Sequence, residues 1–392
     1  MNKTLGLALL AGLAVLAWFV FKSQSSYEPQ TNSAETSNSW TQYARGFNVD
    51  SVGIFKILSI YHPQKSDRPI WRYLLIPNNM DPATEIPDSL IPLKKIFIPV
   101  SKVVPLSSIY IPYLKELKAF DKVIGVSLHN RISNPEFRQL MTQKNIPQLG
   151  EESLIDFEAL FTLTPDLILT YGGTSAAELH PQLRNPLLSV VVTTDYLETH
   201  PLGRAEWIRC FGLLFNQSQL ADSVFNEIET NYQNYKQLVR PDLKKPTVFG
   251  GILYGDAWHQ SGGQSYMAGL LSDAGANYLW SDNPETGSLV FSLEEIMTRA
   301  GEADYWINPG MFTSLIELKN SDPRYTFFKA YQNHQVFGFA SVHNGEGSYD
   351  FFETGNLRVD LMLADLIKVF HPNLIPDHQS VWIKKLENDL PL

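Results

Sequence analysis

A single cysteine, Cys210, stands in a chain of 392 residues, which excludes an intramolecular disulfide and any cysteine-based metal cluster. It lies in the apolar, helix-like stretch Trp207-Ile208-Arg209-Cys210-Phe211 and reads as a buried core thiol. Positive charge is also short: 31 Lys and Arg against 41 Asp and Glu leave a formal charge of −10. No basic stripe offsets that balance, so nucleic acid is excluded as a partner. The nine histidines are nowhere spaced i,i+4, which leaves a dedicated zinc cage weakly supported. The chain has no Gly-x-x-x-x-Gly-Lys-Ser/Thr loop, no Gly-x-Ser-x-Gly elbow and no His-Glu-x-x-His, and Gly250–Gly255 is not a dinucleotide fingerprint. These absences point away from an enzyme and imply neither a cofactor nor a resident metal.

What is present is globular. Apolar residues make up 44% of the chain, and the length allows two domains with substantial cores. Lys3 precedes an apolar run from Leu5 to Phe21, long for a signal core and just long enough to cross a bilayer. No Ala-x-Ala site follows it. Ser, Thr, Asn and Gln dominate from Ser23 to Thr41, the composition of a flexible tether. The expected organisation is therefore a signal peptide or membrane anchor over 1–22, a polar linker over 23–43 and a small antiparallel β extension over 44–95. An N-lobe over 96–203, a connecting-helix region over 204–240 and a C-lobe over 241–392 follow.

From Val103 short apolar strands alternate with helices, the pattern of a parallel sheet covered on both faces. Strands are expected at Val123–Val126, Leu167–Thr170, Ser189–Val192, Val248–Leu253, Tyr305–Asn308 and Val336–Phe339. Between the two series, Arg204 to Leu238 contains almost nothing to break a helix except Asn216-Gln217-Ser218. A helix of about twenty residues there spans roughly 30 Å, enough to bridge two lobes. The predicted fold class is α/β, two lobes with parallel-type sheets joined by one long helix.

One unit occurs in each half. Asp156-Phe157-Glu158-Ala159-Leu160 leads through Thr164-Pro165-Asp166 into Leu167-Ile168-Leu169, and Ser292-Leu293-Glu294-Glu295-Ile296 leads through Ala303-Asp304 into Tyr305-Trp306-Ile307. Each reads as a capped helix, a tight turn and a buried strand. Each places a glutamate, Glu158 or Glu294, in a first turn whose N–H groups favour a carboxylate. On helix chemistry alone these are cap carboxylates.

Three loops that follow predicted strands are rich in aromatics and glycine: Tyr171-Gly172-Gly173, the stretch from Tyr254 to Tyr266, and that from His343 to Phe352. Ligands of open α/β sheets sit outside strand C-terminal ends. Flat aromatic surface beside glycine suits a large, partly apolar organic molecule. The candidate ligand contacts are Tyr171, Tyr254, Trp258, Tyr266 and Tyr349, with His129, His259 and His343 as secondary ones. The alternative for each is loop packing or a hydrogen-bonded histidine.

Four segments, in order, carry a family resemblance: Asp121-Lys122-Val123-Ile124-Gly125-Val126; Phe157-Glu158-Ala159-Leu160 with Thr164-Pro165-Asp166; Gly263-Gln264-Ser265-Tyr266-Met267-Ala268 running into Asp273-Ala274-Gly275-Ala276-Asn277; and Leu363-Ala364-Asp365-Leu366-Ile367 with His371-Pro372. From about Ile96 to Phe370 the chain resembles the single-helix-hinged periplasmic binding proteins of ABC importers for cobalamin, ferric siderophores and haem. The resemblance implies a periplasmic protein that captures such a metal chelate and delivers it to an ABC permease. It also implies permease docking through one glutamate per lobe, by position Glu158 and Glu294, with Glu295 a neighbouring competitor. The chain departs from the pattern at its N-terminus: many relatives carry a lipid-accepting cysteine just past the signal, and here the N-terminal helix itself is the candidate inner-membrane anchor.

The three candidate loops contain no arginine, and Arg131 alone lies in a neighbouring one. Anionic siderophores call for guanidinium clusters, so an uncharged chelate or cobalamin stays open beside an iron chelate. Two other readings remain at this stage. One is a bare metal-ion binder using cleft histidines with Glu346 or Asp350; the other is a chelate-modifying hydrolase using His343 and Glu346.

Overall fold

The computed structural model describes residues 40–65, 68–151, 154–172 and 178–388. The apolar run Leu5–Phe21 and nearly all of the polar linker lie outside these. Among the described residues no helix is long and apolar enough to cross a membrane.

The N-terminal extension is a four-stranded sheet of β1 (Phe47–Val52), β2 (Phe55–Ile60), β3 (Trp71–Pro77) and β4 (Lys94–Ile98), in that order. The first three pair antiparallel, but β4 returns parallel to β3. The parallel strand follows from the turn-rich stretch 78–93, which crosses the sheet and buries Leu90 against Phe55, Ile57, Leu74 and Ile76.

Next come β5 (Val103–Pro105), β6 (Leu167–Tyr171) and β7 (Val190–Thr193), a parallel N-lobe sheet. Leu167, Ile168 and Leu169 are all fully buried, as expected of a strand covered on both faces. The expected strand Val123–Val126 is reduced to isolated bridges, Val103 with Val123 and Val126 with Gln148.

In the C-lobe, β8 (Thr247–Gly250), β9 (Ile252–Tyr254), β10 (Ala257–Ser261), β11 (Asn277–Tyr278), β12 (Ser288–Phe291), β13 (Tyr305–Ile307), β14 (Val336–Gly338) and β15 (Lys384–Lys385) form two sheets. The larger has the order β11-β8-β13-β14-β15, parallel except for β15, and the smaller is an antiparallel β12-β10-β9 cap. The expected continuous strand Val248–Leu253 breaks into β8 and β9 at Gly251. Its φ of +79° is open to glycine, and a Cβ there would collide with the His259 carbonyl.

The repeated unit is real and extends beyond its caps. Asp156 accepts from Ala159 N and opens Phe157–Leu163, while Ser292 accepts from Glu295 N and opens Leu293–Ala300. After each helix an aspartate ties the next strand to its neighbour. Asp166 accepts from Ser101 N and Lys102 N at 3.0 and 2.9 Å, and Asp304 accepts from Thr247 N at 3.0 Å.

Two helices join the lobes: Pro201–Leu214, then a reversal at Asn216 (φ +56°), then the 21-residue Ser218–Leu238. The apolar stripe Ala221, Phe225, Ile228 and Tyr232 recurs at helical spacing and is buried. It packs between Pro201–Leu214 and the C-lobe helix Val359–Phe370. Near its start Asp222 meets Arg209 at 2.9 Å. Toward its end Tyr232 and Lys236 both hold Asp273, at 2.7 and 2.9 Å. This is the strut that the sequence pattern implies.

The first helix of the pair also grips the incoming chain. Glu206, fully buried, accepts from the backbone N–H groups of Gln42, Tyr43 and Ala44 at 2.7–2.8 Å and pairs with Arg209 at 2.7 Å. Glu198 accepts from Arg45 N, Gly46 N and Trp207 Nε1 at 2.7–3.1 Å. Five consecutive amides are thereby satisfied by two carboxylates.

Candidate functional site: the cleft between the lobes

The strand C-terminal ends of the two lobes define the site. On the N-lobe side β6 ends at Tyr171 and β7 runs into Thr194, Asp195 and Tyr196. Tyr171 and Tyr196 meet edge-on with ring centroids 6.0 Å apart, and Tyr196 Oη donates to the Gly172 carbonyl at 2.9 Å. On the C-lobe side β9 ends at the half-buried Tyr254, whose ring lies 6.4 Å from that of His259. Burial raises the Tyr254 phenol and lowers the His259 imidazole from their ordinary values, so both are neutral at pH 7.

At the junction stands Arg204, a residue that loop-based sequence reading misses because it belongs to a helix. Its Nη2 donates to the Tyr196 carbonyl at 2.9 Å and its Nη1 to Asn356 Oδ1 at 3.2 Å, one contact on each lobe. Its guanidinium lies 3.9 Å from the centroid of the Tyr266 ring, an attractive stacking for a delocalised cation. Its Nε is buried without a hydrogen-bond partner. Beneath it, Asp195 accepts from Thr193 Oγ1 at 2.6 Å. Burial raises the Asp195 carboxyl, against the hydrogen bond from Thr193 and the nearby Arg204 charge.

Two of the sequence-predicted contacts move out of the cleft. Trp258 is 0% exposed and stacks in a core cluster with Phe249, Trp306 and Phe328 at 5.5–6.1 Å, its Nε1 donating to the Gly250 carbonyl at 2.9 Å. Strand alternation explains the correction: β10 turns Trp258 inward and His259 outward. Tyr266 is also buried, with Oη 3.3 Å from Met362 Sδ and one face taken by Arg204. It holds Arg204 rather than offering a free surface.

The remaining candidates lie along a seam where the C-lobe segment 343–353 straps onto the N-lobe. His343 and Tyr349 pair across a tight bridge with rings 6.0 Å apart. Asn344 Nδ2 donates to the carbonyls of Asn130 and Ile132, Ser348 Oγ donates to the Arg131 carbonyl, and Glu346 pairs with Arg138 at 2.8 Å. His129, hydrogen-bonded through Nε2 to the Ile146 carbonyl at 2.7 Å, borders a hollow of about 510 Å³ beside Arg138 and Glu346. A second hollow of about 400 Å³, beside Asp304 and Gln335, lies at the N-terminal ends of the C-lobe strands, away from the cleft.

Glu353 closes the strap. It is 1% exposed and accepts from Ser133 N and Asn134 N of the N-lobe at 2.8 and 3.0 Å. Burial pushes its carboxyl up to about 7, aided by Asp350 and opposed by the two N–H groups and Arg138. Glu198 is also raised by burial to about 7. Because these pKa values lie above the ordinary glutamate value of 4.5, the folded protein holds extra protons between about pH 4.5 and 7. Stability therefore falls as pH rises through that window. The melting temperature is expected to drop by several degrees between pH 5 and 7.5, and Glu353→Gln to remove about half of that slope. Circular dichroism melts at stepped pH test this; an unchanged slope in the variant would assign the proton uptake elsewhere.

The two first-turn glutamates are both exposed. A helix that leads into its strand through a tight turn runs antiparallel to it, so its N-terminus lies on the side where the strand ends. Glu158 and Glu294 therefore sit on the cleft side of their lobes. Glu295 is committed elsewhere: its carboxylate accepts from Ser292 N and Oγ at 2.7 and 2.9 Å. These bonds lower its pKa.

Two α/β lobes joined by a stiff helical strut, with aromatic side chains at the strand C-terminal ends, have the architecture of two-lobed binding proteins of the single-strut class. The chain belongs to the periplasmic binding protein family, whose model matches residues 103–342. Its curated relatives include the uncharacterized lipoprotein MJ0878 of Methanocaldococcus jannaschii, 24% identical over 378 residues, which covers 89% of this chain and 86% of the relative. Solved structures with the same fold include a possible iron-binding (periplasmic solute-binding) protein from Staphylococcus epidermidis, with TM-score 0.53 and 19% identity, covering 69% of this chain and 98% of that one. The periplasmic heme-binding protein HutB of Vibrio cholerae matches with TM-score 0.52 and 19% identity, over 67% of this chain and 98% of that one. Helicobacter pylori CeuE with Ni(II) bound matches with TM-score 0.55 and 17% identity, over 72% and 88%.

Proposed function

We propose that the protein captures an iron chelate (a ferric siderophore or haem) or cobalamin between its lobes and delivers it to an ABC permease. It does so outside the cytoplasm, held to the inner membrane by the apolar segment Leu5–Phe21. The observation that carries this reading is the placement of Tyr171, Tyr196 and Tyr254 at or just past the C-terminal ends of strands in a strut-joined pair of lobes, with Arg204 bonded to both lobes at their junction. Solved structures of this fold that bind haem or nickel support the metal-complex class. A bare ion is less well served. Among the described residues no three His, Cys, Asp or Glu side chains come together as a metal-holding group. The candidate hydrolytic pair is engaged in the strap, His343 Nδ1 accepting from Gly345 N and Glu346 pairing with Arg138.

Neutral phenols and a single, largely engaged guanidinium favour a bulky ligand of low net charge over a polyanion. Glu158 and Glu294 are the docking carboxylates in this reading, because Glu295 is spent on its helix cap. The test is a titration of the purified protein with cyanocobalamin, haemin and a panel of ferric siderophores, followed by tryptophan fluorescence. At least one should saturate with a dissociation constant of about 1 μM or tighter, roughly 8 kcal/mol of binding. Failure of every chelate, together with saturable binding of a free divalent ion, would replace this reading with that of an ion carrier.

A further inference from the structure

The N-terminal extension precedes the family-matched stretch, residues 103–342, yet it does not sit apart from the lobes. β7 is an edge of the N-lobe sheet, and an uncovered edge leaves N–H groups without partners. β3 reaches it through one side chain: Val192 N donates to Tyr73 Oη at 3.1 Å. From there the residues around the β2–β3 connection follow the cleft-side ends of β6 and β7. Thr194 Oγ1 donates to the Tyr61 carbonyl at 2.8 Å, and Gln64 Nε2 donates to the Leu197 carbonyl at 2.8 Å. The Trp71 indole lies against the backbone beside Tyr171, so that a Cβ placed on Gly172 would come within 3.2 Å of its ring.

The same glutamine reaches the other lobe. Thr286, in the C-lobe loop before β12, donates its hydroxyl to Gln64 Oε1 at 2.7 Å. One carboxamide thus accepts from the C-lobe and donates to the N-lobe, on an element that belongs to neither. The 343–353 strap makes a further side-chain bridge between C-lobe and N-lobe loops.

We propose that the extension is a third wall of the ligand cleft, with Gln64 clasping the two lobes and Trp71 joining Tyr171 in its aromatic rim. The wall sets the size of chelate admitted. It adds an indole, a carboxamide and no charge at these positions, consistent with a bulky metal complex of low net charge. This inference rests on the ligand-capture reading above for its chemistry, but the clasp itself does not.

Two arms separate them, both using the full chain. Gln64→Ala and Thr286→Val remove the clasp from either side, and the exposed Gln64 makes its variant safe for folding. In the first arm, spin labels at Glu136→Cys and Lys319→Cys, on exposed sites of the two lobes, report the interlobe distance without any ligand; Cys210 is buried and stays unlabelled. Either clasp variant should broaden that distance distribution, and a distribution identical to the parent's overturns the clasp. The second arm measures dissociation constants for cyanocobalamin, haemin and a ferric trihydroxamate in Gln64→Ala and the packing-conservative Trp71→Phe. The ratio of affinities for the largest and smallest chelate bound should shift about tenfold, whereas ratios within twofold of the parent's overturn the size-setting wall. If the parent binds none of the three, the capture reading and the wall's role in size selection fall together, while the distance arm still decides the clasp.

Discussion

Alanine at both Glu158 and Glu294 is expected to abolish chelate uptake while leaving the ligand's dissociation constant within about twofold of the parent's. Both carboxylates are exposed on the cleft side of their lobes, and among the described residues neither is hydrogen-bonded to a cleft residue. Glu294 has 78% of its side-chain surface free, with Arg324 at the outer limit of pairing, 4.0 Å, and already bound to Asp322 at 2.7 Å. A rigid strut keeps the two charges at one separation, so a partner with two basic pockets is read by distance as well as by charge. Close interfacial charge pairs couple by roughly 1.5–7 kcal/mol, and losing two together moves a micromolar docking step out of range. Glu295→Ala is the control. It deletes a capping-box carboxylate, loosens the start of that helix slightly and should leave uptake intact. Transport into permease-containing vesicles, paired with equilibrium binding, separates the outcomes. A loss of ligand affinity beyond tenfold in the double variant would place these residues in the cleft instead.

Trp258→Ala should be the most damaging single substitution in the C-lobe, lowering stability by about 3–5 kcal/mol. The ring fills the space between Phe249, Trp306, Tyr325 and Phe328. Its indole N–H also satisfies the Gly250 carbonyl, at the point where Gly251 turns the chain from β8 into β9. Removing the ring opens a cavity and strands that carbonyl at once. Trp258→Phe keeps most of the packing and should lose roughly 1–2 kcal/mol, near the value of one buried hydrogen bond plus a smaller void. Urea unfolding midpoints measure both. A Trp258→Ala midpoint close to the parent's, combined with weakened chelate binding, would return this ring to the ligand surface.

The architecture was legible where the signals are local. Caps at Asp156 and Ser292, apolar runs such as Leu167–Leu169 and the unbroken helical pattern before Leu238 each determine an element without tertiary help. The limits are equally physical. Gly251 could not be seen as a break, because Val248–Leu253 has the same apolar character on both sides of it. β1 (Phe47–Val52) has no clear strand signal because Asn48, Asp50 and Ser51 dilute its pattern, and pairing with β2 decides it. Sequence alone does not orient Trp258, because a glycine-rich, aromatic stretch looks alike whether the ring points into the lobe or out of it. A one-residue difference in strand phase reverses that direction. Arg204 carries no local signal because it sits in a helix, and only the packing of Tyr196, Tyr266 and Asn356 around it makes it part of the candidate site. The Glu353 latch joins residues about 220 positions apart, a pairing that no local pattern encodes.

The grip of Glu198 and Glu206 on residues 42–46 is made with main-chain N–H groups. For most of these five positions it constrains no side chain. Mutational drift at the exposed Arg45 should therefore be nearly silent and at Gln42 should cost only its surface bonds to Tyr43 and Glu229, whereas Ala44, buried in the core, should accept only small residues. The two acids and Gly46, where a Cβ would meet Trp207 at 2.7 Å, should tolerate almost nothing. A saturation library spanning 42–46, 198 and 206 would show permissive and forbidden columns side by side: hereditary freedom at the exposed positions of the segment that is held, and rigidity in the hand that holds it.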